Sequence, residues 1–172
     1  MVRVFLASPA ATGRLGRALA AILAPPALVT LAGDLGTGKT TLVRHVLRAE
    51  GVRGAIVSPS FTIAQSYTGH AALRLHHLDL YRLAPGTDVE LFAWDDYLTS
   101  DAITFVEWPE AGSEELPTPD VQVRLYHDAP RSRWAEVEAT ADLRERLLLR
   151  LGDAGLTPQP RSAAEPAEEG TP

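Results

Sequence analysis

Residues 33–40, with the sequence GDLGTGKT, constrain this chain more than any other segment. They fill every position of the pattern G-x-x-x-x-G-K-[ST], in which a glycine-rich loop, a lysine and a hydroxyl bind nucleotide phosphates and magnesium. An apolar, partly β-branched run at 27–32 precedes them, and residues 41–48 follow with apolar side chains at helical spacing. A strand, this loop and a helix in that order predict a phosphate-binding loop, or P-loop.

The residue types of this loop suit the tail of a nucleoside triphosphate. Gly33, Gly36 and Gly38 permit backbone angles, and a close approach of the chain to phosphate, that a side chain would prevent. The loop amides and the following helix N-terminus direct positive partial charge at an anion. We predict that Lys39 contacts the β- and γ-phosphates and that the Thr40 hydroxyl coordinates Mg²⁺.

Composition limits the class of protein. The chain has 172 residues, of which 45% are hydrophobic and 22% charged, as in ordinary globular domains. Its net charge of −6 gives no electrostatic support for broad contact with nucleic acid or with an anionic membrane. It has no cysteine, which excludes disulfides, thiolate metal sites and cysteine nucleophiles. No apolar segment is long enough to span a bilayer, and we expect a cytoplasmic protein.

Hydrophobic periodicity and turn residues predict the remaining elements. Beside the P-loop unit we expect the following segments: a first strand at 1–8, a helix from Ser8 or Thr12 to about residue 23, a hairpin from 55–67 and 72–81, a helix at 87–98, strands at 101–106, 121–126 and 134–140, and a helix at 141–151. This order predicts an α/β, P-loop NTPase-like three-layer sandwich with a mixed, mostly parallel central sheet and a hairpin.

One P-loop NTPase domain is predicted over residues 1–151. From residue 152 the composition changes to Pro, Ala, Glu and Gly with few large apolar residues. Such a composition cannot bury enough apolar surface to offset the entropy of ordering, so we predict a disordered tail at 152–172.

Two carboxylates follow predicted strands where the magnesium side of a P-loop site is expected. We assign Glu107 to Mg²⁺, directly or through water; the alternative is a solvated carboxylate at a strand end. We assign Asp79 to orienting the attacking water or supporting the metal shell; the alternative is a turn cap. His76 and His77 are adjacent on a strand and face opposite sides, so we expect packing rather than shared metal ligation.

Four segments of the chain together match a known family. They are GDLGTGKTT at 33–41, SPSFT at 58–62, HLDLYR at 77–82 and VEWPE at 106–110. In order and approximate spacing they resemble the TsaE (formerly YjeE) ATPases, a bacterial P-loop family that takes part in making threonylcarbamoyl-adenosine (t6A) on tRNA. Ser60, Leu78 and Ala93 depart from residues common in that family, and none of the three removes a group that the chemistry requires.

The resemblance implies roles for the residues at matching positions. Catalytic roles fall on Asp79, Lys39 and Glu107, and Thr40 and Glu107 become the magnesium-side residues. Nucleotide binding falls on Thr12, close to the base, and on the P-loop residues Gly33, Leu35, Gly36, Thr37, Gly38, Lys39, Thr40 and Thr41. A nucleotide-sensing switch corresponds to Ser58, Pro59, Ser60, Phe61 and Thr62.

The same resemblance implies a Mg²⁺-dependent ATPase required for t6A, with ATP and ADP as its nucleotides. Its expected partners are TsaD and TsaB, hydrolysis resets their modifying complex, and contact with tRNA is only indirect or weak. One alternative is a small-molecule P-loop kinase, which the absence of arginine from 112–120 disfavours. The other is a non-catalytic, nucleotide-dependent switch, for which Asp79 is the deciding residue.

Overall fold

The computed structural model describes residues 1–59, 62–83, 93–112 and 116–160. Within these ranges the chain forms eight strands and three α-helices. The strands are β1 (Val2–Leu6), β2 (Ala27–Ala32), β3 (Ala64–Thr68), β4 (Arg74–Asp79), β5 (Ala102–Glu107), β6 (Val121–Ala129), β7 (Ser132–Ala139) and β8 (Pro158–Gln159). The helices are α1 (Pro9–Ala20), α2 (Lys39–Ala49) and α3 (Ala141–Asp153).

In the part of the chain that the structure describes, the strands form one sheet in the order β3-β4-β5-β2-β6-β7-β1-β8. Strand β2 is parallel to β5 and β6, and β4 is parallel to β5. The other pairings, β3–β4, β6–β7, β1–β7 and β1–β8, are antiparallel. The α/β class, the mixed sheet and the hairpin are therefore confirmed. The expectation of a mostly parallel sheet is wrong, because two hairpins and the strands added at one edge make antiparallel pairs.

The two faces of the sheet are covered differently. Alternate residues of the strands, such as Val29, Phe105 and Val123, pack with buried residues of all three α-helices in one core. A second, smaller core on Leu28, Leu78, Leu80 and Val106 is covered by side chains from 94–98, 108–111 and 116. Among the described residues, this third layer consists of the 3₁₀ turns Trp94–Asp96 and Pro109–Gly112 and of loops. Half of the helix predicted at 87–98, residues 87–92, lies outside the described residues, and the described half contains the 3₁₀ turn Trp94–Asp96 instead of an α-helix.

The first α-helix begins at a local capping signal, whereas the last described strand is held by residues distant in sequence. Ser8, rather than Thr12, caps α1, and its side chain accepts a bond of 3.3 Å from the Ala11 amide. Leu156 is buried, and Pro158 of β8 pairs with Val4 of β1. The predicted tail boundary at residue 152 is therefore too early. Beyond residue 160 the tail lies outside the described residues.

Helices α1 and α2 pack closely, which fixes the base of the P-loop helix. A Cβ atom at Gly16 would lie 2.6 Å from the Cβ of His45, so only glycine permits this approach. Burial, assisted by the charge of Arg17, holds the pKa of His45 below its usual value. No helix of the described residues is both long and apolar enough to cross a membrane.

Candidate nucleotide site

The P-loop leaves the central strand β2 at the carboxyl end of the parallel strands. Gly33, Gly36 and Gly38 have φ angles of +126°, +78° and +103°, which L side chains rarely adopt. Gly38 occupies the N-cap position of α2 and makes no side-chain capping bond. The amides of the first helical turn therefore face the loop without a side-chain acceptor, the arrangement that binds anions at helix N-termini.

Lys39, the chain's single lysine, lies in the first turn of α2 and is only 4% exposed. Its Nζ atom donates to the Gly33 carbonyl and, at 3.0 Å, to the Asp34 carbonyl. The same atom lies 3.6 Å from the ring centroid of Trp108, in a cation–π contact. The lysine predicted to contact phosphate is thus already directed into the loop.

The electrostatic surroundings of Lys39 are mixed. Burial lowers its pKa from the usual 10.5, although four nearby carboxylates act in the opposite direction. These are Glu107, Glu110, Asp79 and Asp34. Since the net shift disfavours the ammonium form, an anionic ligand in the loop would stabilise a charge that the protein alone does not fully compensate.

A hydrogen-bonded chain holds the Glu107 carboxylate. The Thr40 hydroxyl donates to Glu107 Oε2 at 3.0 Å, and His77 Nε2 lies 2.7 Å from Glu107 Oε1. His77 is fully buried, and its Nδ1 atom has no hydrogen-bond partner among the described residues. Because a carboxylate oxygen only accepts, the hydrogen of this bond lies on His77 Nε2. Both carboxylate oxygens therefore have defined donors.

Asp79 ends β4 beside Glu107, with which it is paired in the parallel register of β4 and β5. Its carboxylate accepts a bond of 3.1 Å from the Tyr81 amide, and its own amide donates to the Ile63 carbonyl at 2.9 Å. The carboxylate thus does cap the turn after β4, as the alternative interpretation holds. It also lies close enough to Lys39 to affect that pKa, so it belongs to the same cluster.

The remaining predicted P-loop residues have different surroundings. Leu35 is 68% exposed at the tip of the loop, and Thr41 is also exposed. Thr37 is buried, and its hydroxyl donates to the Asp34 carbonyl at 2.8 Å. Thr12 is buried on α1, and its predicted place near the base stays a prediction.

The switch segment is described in part, since Ser60 and Phe61 lie outside the described residues. The Pro59 carbonyl accepts from the amides of Thr62 and Ile63, which closes a turn. Ile63 follows with a φ angle of +63°, unusual for a β-branched residue, and bonds to Asp79 through its carbonyl. Ile63, the residue that follows the predicted switch, therefore connects the switch to the backbone of Asp79.

A comparison with protein families agrees with this arrangement. The family model "Threonylcarbamoyl adenosine biosynthesis protein TsaE" matches residues 6–135, from the end of β1 into β7. The chain belongs to the TsaE family.

Individual TsaE proteins are similar over much of the chain. The protein of Nostoc sp. is 36% identical over 141 residues, which cover 80% of this chain and 85% of that protein. That of Streptomyces coelicolor is 44% identical over 116 residues, covering 64% and 76%. Both are named tRNA threonylcarbamoyladenosine biosynthesis protein TsaE. The crystal structure of Bacillus subtilis YdiB superposes with a TM-score of 0.71 at 26% identity, covering 90% of this chain and 98% of that one.

Sequence reasoning missed three residues of this TsaE-family site. His77 was expected to pack, yet it bonds to Glu107. The available signal was its spacing of two from Asp79 on one strand, which places both side chains on one face. His127 and Arg133 bond to P-loop carbonyls from the β6–β7 hairpin. They lie more than 90 residues from the loop in sequence, and no local pattern indicates the contact.

The predicted magnesium position has a modest set of protein ligands. No group of three or more His, Asp or Glu side chains suited to a metal ion occurs among the described residues. The oxygens of Thr40 and Glu107 lie 3.0 Å apart. Hard oxygen donors of this kind fit Mg²⁺, which commonly takes its other ligands from phosphate and water. The residues present therefore fit the ion as a partner of a bound nucleotide.

We expect His77→Leu to lower the apparent affinity for Mg²⁺ in nucleotide binding about tenfold, because Glu107 would lose the donor that orients it. His77→Gln places an amide donor near the same position and should recover most of the affinity. Calorimetric titration of ADP at a series of Mg²⁺ concentrations measures the effect. Equal behaviour of the Leu and Gln variants would show that the hydrogen bond to Glu107 is unimportant.

Proposed function

We propose that this TsaE-family protein is a Mg²⁺-dependent ATPase that serves t6A biosynthesis on tRNA. The main support is the convergence of Lys39, Thr40, Glu107 and Asp79 at one end of the parallel strands, around a P-loop of the required sequence. Relatives that carry the t6A name over most of their length support the biological process.

Each residue has a distinct task in this proposal. The P-loop amides and Lys39 bind the β- and γ-phosphates and neutralise charge as the terminal phosphoryl group leaves. Thr40 and Glu107 would hold Mg²⁺, directly or through water, and the ion would supply positive charge that polarises the phosphate oxygens. Asp79 accepts a hydrogen bond from the attacking water and orients it in line with the leaving group.

Activation by partner proteins is part of the proposal. Leu35 on the P-loop is 68% exposed, and Tyr81, which packs on Trp108 at 4.8 Å between ring centroids, is 51% exposed. Since Trp108 covers Lys39, these two apolar side chains flank the nucleotide position. A protein docked there would cover both and exclude water from the site. We assign this role to TsaD and TsaB and expect slow hydrolysis in their absence.

The test is phosphate release from Mg-ATP by the full chain, alone and with the TsaD–TsaB pair. We expect stimulation by the pair and a loss of about 100-fold in turnover for Asp79→Asn, since positioned acid–base groups contribute 10²–10⁴. ATP affinity should change little in that variant. Asp153→Asn, an exposed change at the end of α3, is the matched control.

The possible failures have different meanings. Turnover by Asp79→Asn at the wild-type rate would remove Asp79 from the chemistry. Nucleotide binding without any phosphate release, even with both partners, would favour the non-catalytic switch. Phosphate release that neither partner stimulates would contradict the link to TsaD and TsaB.

A further inference from the structure

We propose that Arg133 is a positioning residue for phosphate binding, which holds the P-loop from its outer side. The inference rests on the proposed function, because it concerns the affinity of the same loop for nucleotide phosphates. It adds a residue on the β6–β7 hairpin to a site otherwise built from β2, β4, β5 and α2.

The contacts of Arg133 join two separate parts of the backbone. Its Nε atom donates to the Thr37 carbonyl at 3.1 Å, and Nη2 donates to the Gly36 carbonyl at 3.3 Å. Its Nη1 atom donates to the Ala129 and Ser132 carbonyls, at 2.7 and 2.6 Å, within the hairpin itself. One planar guanidinium thus ties the loop to the hairpin with four hydrogen bonds, a geometry that a point-like ammonium does not reproduce.

His127 extends this contact to the preceding peptide group. It is the register partner of Arg133 across β6 and β7, so both side chains project from the same face of the hairpin. Its Nε2 atom lies 3.1 Å from the Leu35 carbonyl. Three consecutive loop carbonyls, those of Leu35, Gly36 and Thr37, are therefore held by the hairpin.

Fixing these carbonyls also fixes the direction of the amides. In a trans peptide group the carbonyl and the following N–H point in opposite directions. When the Leu35 and Thr37 carbonyls are directed at the hairpin, the N–H groups of Gly36 and Gly38 are directed away from it. The amide of Thr37 closes a turn onto the Asp34 carbonyl at 3.3 Å. The loop thus presents the Gly36 and Gly38 amides on the side away from the hairpin before phosphate arrives.

The β6–β7 hairpin is itself held by the strand from which the P-loop emerges. Strand β6 pairs in parallel with β2, the strand from which the loop emerges, through the register pairs Leu31–Val123 and Ala32–Arg124. The loop and the residue that holds it are consequently attached to adjacent strands of one sheet. A simple structural brace of the hairpin would need only the bonds to Ala129 and Ser132, so the two roles make different predictions.

The test compares Arg133→Met and Arg133→Lys with the full wild-type chain. Arg131→Met, an exposed change on the same turn, is the matched control for loss of positive charge. The affinities for Mg-ADP and for magnesium pyrophosphate are measured by calorimetry, and the melting temperature is measured for each variant. Pyrophosphate reports on the loop without any contribution from the base or sugar.

We expect Arg133→Met to weaken both affinities about tenfold or more, as for the loss of several oriented donors. Arg133→Lys should lie between Met and wild type, and Arg131→Met should remain within about twofold of wild type. Binding by Arg133→Met as tight as wild type, even with a lower melting temperature, would reduce Arg133 to a hairpin brace and overturn the inference. An equal loss in Arg131→Met would also overturn it, since charge alone would then explain the effect.

Two further outcomes keep the test decisive. If Arg133→Met does not fold, the Lys variant decides: a loss of about threefold or more supports the inference and a smaller loss overturns it. If wild type binds neither Mg-ADP nor pyrophosphate, the proposed function fails and the inference fails with it. Failure of the inference alone is recognised by normal wild-type binding that the Arg133 variants retain.

Discussion

Lys39→Met is expected to reduce ATP affinity about 100-fold or more, since it removes the charged donor aimed at the phosphates. The free energy of unfolding should stay within about 1 kcal/mol of wild type or rise, since a neutral side chain avoids the cost of burying the ammonium. The lowered pKa of Lys39 gives the reason, because the site disfavours the ammonium relative to water despite its carboxylate neighbours. Methionine also keeps contact with the Trp108 ring. Calorimetry with Mg-ATP and urea denaturation without nucleotide measure the two effects.

The single lysine offers an independent check of the same prediction. Lys39 carries the only side-chain amine in this sequence, so an amine-reactive reagent can modify it and the terminal α-amine. Saturating Mg-ADP should protect Lys39 and leave the terminal amine as reactive as before, which mass spectrometry of the labelled protein can separate. ATP binding by Lys39→Met at wild-type affinity, or labelling of Lys39 that nucleotide does not slow, would contradict a phosphate contact.

The features that sequence predicts well are those encoded by neighbouring residues. The P-loop requires eight consecutive positions, and all of them are read directly from residues 33–40. The Ser8 cap and the β3–β4 hairpin also depend on signals within a few residues. The edge of the sheet is different, because β1 pairs with β7 at a separation of about 130 residues and with β8 near the other end of the chain. Hydrophobic alternation identifies such strands without naming their partners, which is why the balance of parallel and antiparallel pairs was wrong.

The residues of the site also divide into those that the sequence predicts and those whose contacts depend on the fold. The positions of Asp79 and Glu107 follow from strand ends in a parallel sheet, a general rule that needs only the strand assignments. The bond from His77 to Glu107 requires in addition that β4 and β5 are neighbours, which the sequence does not specify. The bonds of Arg133 require the path of a hairpin on the far side of β2. Residues predicted to contact the nucleotide or Mg²⁺ are therefore easier to identify from sequence than the residues that hold them in position.

Gly33→Ala is expected to destabilise the protein by about 3 kcal/mol or more, the range of severe overpacking combined with backbone strain. The φ angle of +126° already disfavours an L side chain, and the added Cβ would lie 2.2 Å from the Leu125 carbonyl oxygen. That oxygen belongs to the backbone of β6, which is bonded to strands on both sides. Neither partner can move without breaking the sheet at the point where the P-loop begins. Urea denaturation without nucleotide gives the change in unfolding free energy.

Gly38→Ala measures the cost of backbone strain in the same loop without the cost of overpacking. Its φ angle of +103° is similarly unfavourable, yet an added Cβ would meet no atom of the described part of the chain within 4 Å. We therefore expect a loss of about 1–3 kcal/mol from strain alone, smaller than that of Gly33→Ala. Equal losses in the two variants would mean that β6 moves aside at no cost and that the loop is not anchored to the sheet at Gly33. A larger loss at Gly33, together with weaker Mg-ADP binding, would show that the close packing of β2 on β6 sets the shape of the phosphate site.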